Sequence, residues 1–175
     1  MLVRDRADGL LESLMNAKIR QAGPEDAPAI LELIRQLAAF ENLSHEVKAT
    51  AERLRQTLFQ SDGKPAAECI LAFADGELAG YAVYFTTYST FLAEPGLYLE
   101  DLFVRSAMRR RGIGRALLLY VARLANERGC GRMEWTVLDW NQPAIDFYAS
   151  LGAQTLADWR VCRLTGEALA RHKGS

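Results

Sequence analysis

The chain has 175 residues, 50% hydrophobic and 25% charged, with 21 basic against 22 acidic side chains and a formal net charge of −1. That length reads as one domain burying about two-thirds of its unfolded surface, and so balanced a charge supplies no global field toward nucleic acid or a membrane surface. Cys69, Cys130 and Cys162 are odd in number and show no C-x-x-C spacing, which argues against disulfides or a metal site and for free thiols in a reducing cytoplasm.

Residues 1–16 mix acidic with apolar side chains, carry no small-residue cleavage pattern and are interrupted by Gly9. They are expected to be a poorly ordered extension, not a signal peptide, ahead of a single domain over residues 17–175. No apolar run is long enough to span a bilayer. Lys18 to Gln21 reads as a short strand, and Gly23-Pro24-Glu25-Asp26 as a turn into an amphipathic helix carrying Ala27, Ile30, Ile34, Leu37 and Ala38. A second helix is expected over Thr50 to Phe59, with Thr50 as its N-cap. Cys69 to Ala74 and Leu78 to Phe85 flank Asp75-Gly76, a hairpin signal. Leu97 to Val104 is a third strand. Ile113 to Arg128 is the clearest helix, with Leu117, Leu118, Val121, Leu124 and Ala125 as its buried stripe and Gly129 as its stop. Arg132 to Leu138 reads as a strand, Pro143 to Leu151 as a helix, and Ala153 to Leu164 as one or two last strands. The order β-α-α-β-β-β-α-β-α-β is mixed α/β, with helices packed on a sheet that is only partly parallel.

The segment Tyr98 to Arg115, YLEDLFVRSAMRRRGIGR, joins two adjacent carboxylates to a basic Gly-x-Gly turn that opens a helix. Exposed amides and a helix dipole at such a turn suit a phosphate, whereas the carboxylates suit a cationic substrate or a proton transfer. The loop lacks the Gly-Lys-Ser/Thr ending of a P-loop, and Leu117 stands where a dinucleotide fingerprint has its third small residue. Nucleotide hydrolysis and hydride transfer both lose ground. A regular strand would set Asp101 on the face of Leu97, Leu99 and Phe103, where an unpaired carboxylate is costly. Either a bulge turns Glu100 and Asp101 outward, or buried donors satisfy Asp101. Asn141 can bond an amide-bearing ligand and Tyr148 can donate a phenolic proton, although a turn residue and a packing residue explain that pair as well. His45 and His172 accompany no candidate nucleophile, so a Ser-His-Asp or Cys-His mechanism lacks support and a His-rich metal site is excluded by count.

Taken together, LYLEDLFV, Arg109-x-x-Gly112-x-Gly114 and Asn141-x-Pro143-x-x-x-Phe147-Tyr148-x-x-x-Gly152 resemble the GCN5-related N-acetyltransferase (GNAT) superfamily. Leu37 to Glu41, Tyr98 to Asp101 and Trp140-Asn141-x-Pro143 are similar to its diamine (spermidine/spermine) N1-acetyltransferase branch. The resemblance implies a GNAT-like fold and acetyl-CoA as cosubstrate, with no metal. It implies that the backbone of Leu102, Phe103 and Val104 pairs with the pantetheine arm, and that the loop of Arg109, Arg110, Arg111, Gly112, Ile113, Gly114 and Arg115 holds the pyrophosphate. Asn141, Gln142, Pro143 and Ala144 would bind further along the cofactor. Tyr148 would protonate the departing thiolate, and Glu100 would take a proton from the substrate ammonium through water. Glu41, Asp101 and Asp158 would favour a cation, beside Phe40 and Trp159. The implied reaction is direct acetyl transfer in a ternary complex to a primary amine of a small cationic substrate: a diamine, a polyamine or a lysine-like compound. A homodimer without nucleic-acid or membrane partners goes with it. The polyamine enzymes' Asp-Pro-Trp element is missing from the loop Tyr88 to Pro95. A peptide or protein amino group, or a catalytically silent acyl-CoA-binding module, are the competing readings.

Overall fold

The computed structural model describes residues 17–59 and 65–173, so the extension expected over residues 1–16 lies outside the described residues. The chain divides into two units, Met1–Thr136 and Val137–Ser175. In the first, β1 (Lys18–Gln21), α1 (Ala27–Phe40), α2 (Ala51–Leu58), β2 (Glu68–Ala74), β3 (Glu77–Ser89), β4 (Glu94–Val104), α3 (Ile113–Glu127) and β5 (Arg132–Glu134) follow in order. The sheet runs β1-β2-β3-β4-β5 in space, antiparallel until the parallel β4–β5 pair.

Local chemistry accounts for the element ends. Asp75 and Gly76 both have positive φ, 54° and 81°, as a two-residue primed turn requires. Thr50 Oγ1 accepts the Arg53 amide at 3.1 Å and caps α2. Asn42, at φ 61°, stops α1 and leaves Glu41 at its C-cap. The hairpin after Asp75-Gly76 is followed by a second, longer one. β3 runs on to Ser89 and β4 begins at Glu94, so half of the expected loop Tyr88 to Pro95 is strand and residues 90–93 form the turn.

The sheet carries a core on each face. Ile30 and Leu33 of α1 pack with Leu58, Cys69, Leu71, Tyr81, Val83 and Phe103. The alternate residues Ile70, Ala82, Tyr84, Leu97 and Leu99 are buried on the other face, where α3 lies against β2, β3 and β4 with Leu117 and Val121 inward. The two faces meet a discontinuity in β4. Tyr84 pairs with Leu99 but Val83 pairs with Asp101, so Glu100 is an inserted residue. Directly opposed residues share a face. Leu97 and Leu99 therefore face α3, whereas Asp101 and Phe103 face α1, not one common side as a regular strand would give.

The second unit holds α4 (Gln142–Ser150) and α5 (Gly166–Ala170). No strand forms over Ala153 to Leu164, against the expectation. A strand needs a ladder partner, and among the described residues that segment makes turn bonds such as Trp159 N–H to Leu156 O at 3.3 Å, with Leu156, Trp159, Val161 and Leu164 exposed. The strand expected to reach Leu138 stops at Glu134 for the same reason, since β4 pairs it only from Gly96 to Tyr98. The three cysteines are free: Cys69 is buried, Cys130 half-buried and Cys162 exposed. Among the described residues no helix is long and apolar enough to cross a membrane.

Candidate active site

Beyond Tyr98, among the described residues β4 has a ladder partner only on its β3 side. The Arg105 amide donates to Ala79 O across that ladder at 2.9 Å. Peptide groups alternate along a strand, so those of Leu102 and Val104 turn away from β3 toward the open edge. Phe103 turns its carbonyl inward instead, against Gly80. Within the expected trio, Leu102 supplies both outward backbone groups and Val104 its amide, since the Val104 carbonyl is taken by Arg109 Nε. An extended amide-bearing ligand can join such an edge as an added strand.

The same strand leads into an anion cradle. After a 3-10 turn at Ser106–Met108, Arg110 and Gly112 adopt positive φ, 62° and 75°. Gly112 is the N-cap of α3 and offers no side-chain cap, and the first intrahelical bond runs from the Ala116 amide to Gly112 O at 2.9 Å. The amides of Ile113, Gly114 and Arg115 therefore lack intrahelical partners and point out of the helix start, where the dipole favours negative charge. A Cβ on Gly114 would meet nothing nearer than Val104 Cγ2 at 3.7 Å, so the space before the helix is open. The Arg111 side chain is tied to Asp75 at 2.6 Å. Among the described residues, buried Arg115 Nε has no hydrogen-bond partner. Arg109 behaves differently again. Its Nε donates to Val104 O at 3.0 Å, and its guanidinium lies 4.6 Å from the Phe40 ring centroid and 5.6 Å from that of Phe103.

On the α1 face the carboxylates converge. Asp101 is half-buried and accepts a 2.8 Å hydrogen bond from the Tyr81 hydroxyl. Burial pushes its pKa above the ordinary carboxylate value; the Tyr81 hydrogen bond opposes this and the Glu100 charge adds to it. Glu41 is raised by burial and then by the charge of Asp101. Burial and the Asp101 charge lift the Tyr81 hydroxyl well above its usual range. Burial, with Asp26 and Asp101 behind it, pushes the Cys69 thiol up to about 12. A cation arriving here would relieve the negative charge that these groups impose on one another. Glu100, the inserted residue, is exposed. Tyr81 was not singled out from sequence. Its one signal was its position in a strand that pairs with the acidic one.

The second unit holds the remaining candidates. Asn141 Oδ1 accepts from Ala144 N–H at 3.4 Å as the N-cap of α4, Gln142 donates to Asp146 at 2.7 Å, and Pro143 is the second helical residue instead of the first. Tyr148 is half-buried, its ring 5.2 Å from that of Phe147. Asp158 and Trp159 lie in the irregular segment, and Trp159 is 77% exposed. The first unit thus gathers Phe40, Glu41, Glu100, Asp101, Phe103 and Arg109 around one end of β4. The second sets Asn141 and Tyr148 on α4.

The acetyltransferase (GNAT) family profile matches residues 31–153. An L-ornithine N5-acetyltransferase (NATA1) of Arabidopsis thaliana is 37% identical, over 89% of this chain and 87% of its own length. A thialysine N-epsilon-acetyltransferase of Bos taurus is 39% identical over 89% of this chain and 96% of its own. A spermidine/spermine N(1)-acetyltransferase-like protein of Homo sapiens is 35% identical over 87% of this chain, which spans 23% of that longer protein. Among solved structures, an integron cassette protein of V. cholerae superimposes with a TM-score of 0.73 at 23% identity, over 89% of this chain and 96% of that one.

Proposed function

The chain belongs to the acetyltransferase (GNAT) family, and we propose that it moves the acetyl group of acetyl-CoA to a primary amine of a small cationic substrate, by direct transfer in a ternary complex. The ornithine, thialysine and spermidine/spermine in the names of its relatives support such an acceptor, a diamine, a polyamine or a lysine-like compound. The observation that carries the reading is the juxtaposition at β4. An open strand edge and a free helix start suit a long, anionic, amide-bearing cosubstrate, while Asp101 and Glu41 wait for a cation on the α1 face.

In this reading Leu102 and Val104 hold the pantetheine amides, and the amides of Ile113, Gly114 and Arg115 hold the pyrophosphate, helped by the turn at Arg110, Arg111 and Gly112. Asn141, Gln142, Pro143 and Ala144 serve the cofactor, and Asp158 and Trp159 serve the acceptor. The cosubstrate supplies an activated acetyl thioester. Glu100, through water, takes a proton from the bound ammonium, and the freed lone pair attacks the thioester carbonyl carbon. As the carbon–sulfur bond breaks, the Tyr148 hydroxyl gives its proton to the leaving sulfur. The second proton, shed by the acylated nitrogen as it becomes an amide, returns through solvent to the tyrosine oxygen. Positioning and general acid–base help account for the rate gain. A homodimeric state and a cytoplasmic setting, in keeping with the three free thiols, belong to the same reading.

An amine panel with acetyl-CoA, followed by released thiol, tests it. Turnover is expected with small ω-amines. Turnover confined to peptides would transfer the reading to protein amino groups, and acetyl-CoA binding without turnover would leave a silent acyl-CoA module. Tyr148→Phe should lower kcat while keeping acetyl-CoA affinity; full turnover would remove Tyr148 from the mechanism.

A further inference from the structure

Tyr81 stands fully buried in the apolar core under α1, in the cluster of Ile30, Leu33, Cys69 and Leu71, with its ring edge-on to that of Phe103. A phenylalanine would fill that place without burying a hydroxyl, so the hydroxyl needs a partner. Among the described residues that partner is Asp101 alone. The phenol donates to Oδ2 at 2.8 Å, and Oδ1 makes no hydrogen bond. Asp101 is only half-buried, so part of its surface stays open to solvent. One carboxylate oxygen is tethered from the core and the other is left for a ligand. The groups acting on Asp101 from its surroundings are acids or neutral. Glu100 adjoins it on β4, Glu41 faces it from the C-cap of α1, and Cys69 lies behind it on β2. Arg109 stacks on the Phe40 and Phe103 rings and donates to Val104 O.

We propose that Tyr81 is a positioning residue for acetyl transfer, whose hydroxyl holds Asp101 ionised and aimed at the ammonium of the acceptor. This rests on the amine-acetyltransferase reading and deepens it. Burial and the Glu100 charge work against the negative charge that a cation needs to meet, and the Tyr81 hydrogen bond works for it. The phenol is a dependable donor, because burial and the Asp101 charge lift its own pKa well above the usual range. Glu41 feels the same burial and repulsion, but among the described residues its side chain has no such donor. Of the two acids, Asp101 is therefore the one prepared to be charged before the acceptor arrives. Tyr81 touches neither substrate; it acts through Asp101.

The test follows kcat/KM for L-ornithine and putrescine from mildly acidic to alkaline pH, at saturating acetyl-CoA, in wild type, Tyr81→Phe, Asp101→Asn and the double variant. In Tyr81→Phe the acidic limb of the profile should move up by about one pH unit, the worth of one hydrogen bond to a charged group. On the acid side of that limb acceptor KM should rise about tenfold, and the difference should close at alkaline pH, where Asp101 is ionised in both proteins. The kcat and the acetyl-CoA Kd should stay within about threefold of wild type, the split expected when only acceptor binding is lost. Asp101→Asn still accepts from Tyr81 but cannot ionise, so it should raise acceptor KM and abolish the limb. Adding Tyr81→Phe to it should change acceptor KM by less than about twofold. A Tyr81→Phe loss equal at every pH, one undiminished on the Asp101→Asn background, or one carried by the acetyl-CoA Kd shows a merely structural tyrosine and overturns the inference. Should Tyr81→Phe fail to fold, Asp101→Asn decides: an unchanged limb and acceptor KM overturn it. Turnover with a profile untouched by Tyr81→Phe leaves the acetyltransferase reading standing without this inference. No turnover with any amine sinks both.

Discussion

The Tyr81 hydroxyl donates a 2.8 Å hydrogen bond to Asp101 Oδ2, on the diagonal of the β3–β4 register where Tyr81 faces Phe103 and Val83 faces Asp101. The pair shares the α1 face only because the insertion at Glu100 has turned Asp101 to that side. A half-buried carboxylate with one neutral donor is held at a cost to folding, and that cost has a pH signature.

The Asp101 pKa is raised by burial, so the folded protein keeps this proton to higher pH than the unfolded chain does. Its contribution to stability is fully present below the unfolded carboxyl pKa and is lost as pH rises through the raised folded value. Asp101→Asn should therefore stabilise the protein at neutral pH, by about 0.5–2 kcal/mol as is usual for relieving a functional site, with the gain vanishing in acid. Acceptor KM should rise in the same variant. Tyr81→Phe should act oppositely, costing about 1–3 kcal/mol by stranding an ionised carboxylate, with a smaller loss in acid. Thermal melts across pH check both signs, and a pH-independent difference would refute the assignment.

Glu100 is exposed on its bulge, placed to exchange protons through solvent. Glu100→Gln should lower kcat/KM by about 10²–10⁴, the usual reach of a general base, while leaving acetyl-CoA affinity unchanged. The loss should shrink at alkaline pH, where more of the amine is already neutral. Rate profiles against pH for the two proteins would expose an error if they ran parallel.

Much of this was legible in the sequence because the signals were local. Thr50 caps the helix it was expected to cap, Lys18 to Gln21 is the expected strand, and Asp75-Gly76 makes the expected turn. What escaped depended on residues meeting across the fold. Period-two alternation cannot place an inserted residue, so Glu100 left the faces of β4 undecided until the register with β3 was known. Tyr81 reaches Asp101 diagonally, and Phe40 reaches Arg109 from a helix far away in the chain. The apolar residues Leu156, Val161 and Leu164 look like strand material, but a sequence does not say whether a ladder partner is present. Here none is found among the described residues.

Gly80 lies opposite Val104 in the β3–β4 register. A Cβ there would collide with the Phe103 carbonyl and lie 3.2 Å from Val104 Cα. Gly80→Ala must push β4 outward, at about 1–3 kcal/mol for overpacking against backbone. The shift would be delivered to Val104, so acetyl-CoA affinity should fall together with Tm. Unaltered binding in a destabilised variant would argue that Val104 does not hold the cosubstrate.

Arg110 separates what the backbone of the cradle does from what its charge does. At φ 62° it occupies a left-handed conformation that costs an L-residue about 1–2 kcal/mol and a glycine almost nothing. Glycine also adds freedom to the unfolded chain, so Arg110→Gly should raise stability by a net of about 0.5–1 kcal/mol. If the amides before α3 carry the pyrophosphate, acetyl-CoA affinity should fall by no more than a few-fold, with a weaker dependence on salt as one surface charge is lost. A loss of a hundredfold or more would show that the Arg110 side chain, not the turn it strains to form, is the main anchor of the cosubstrate.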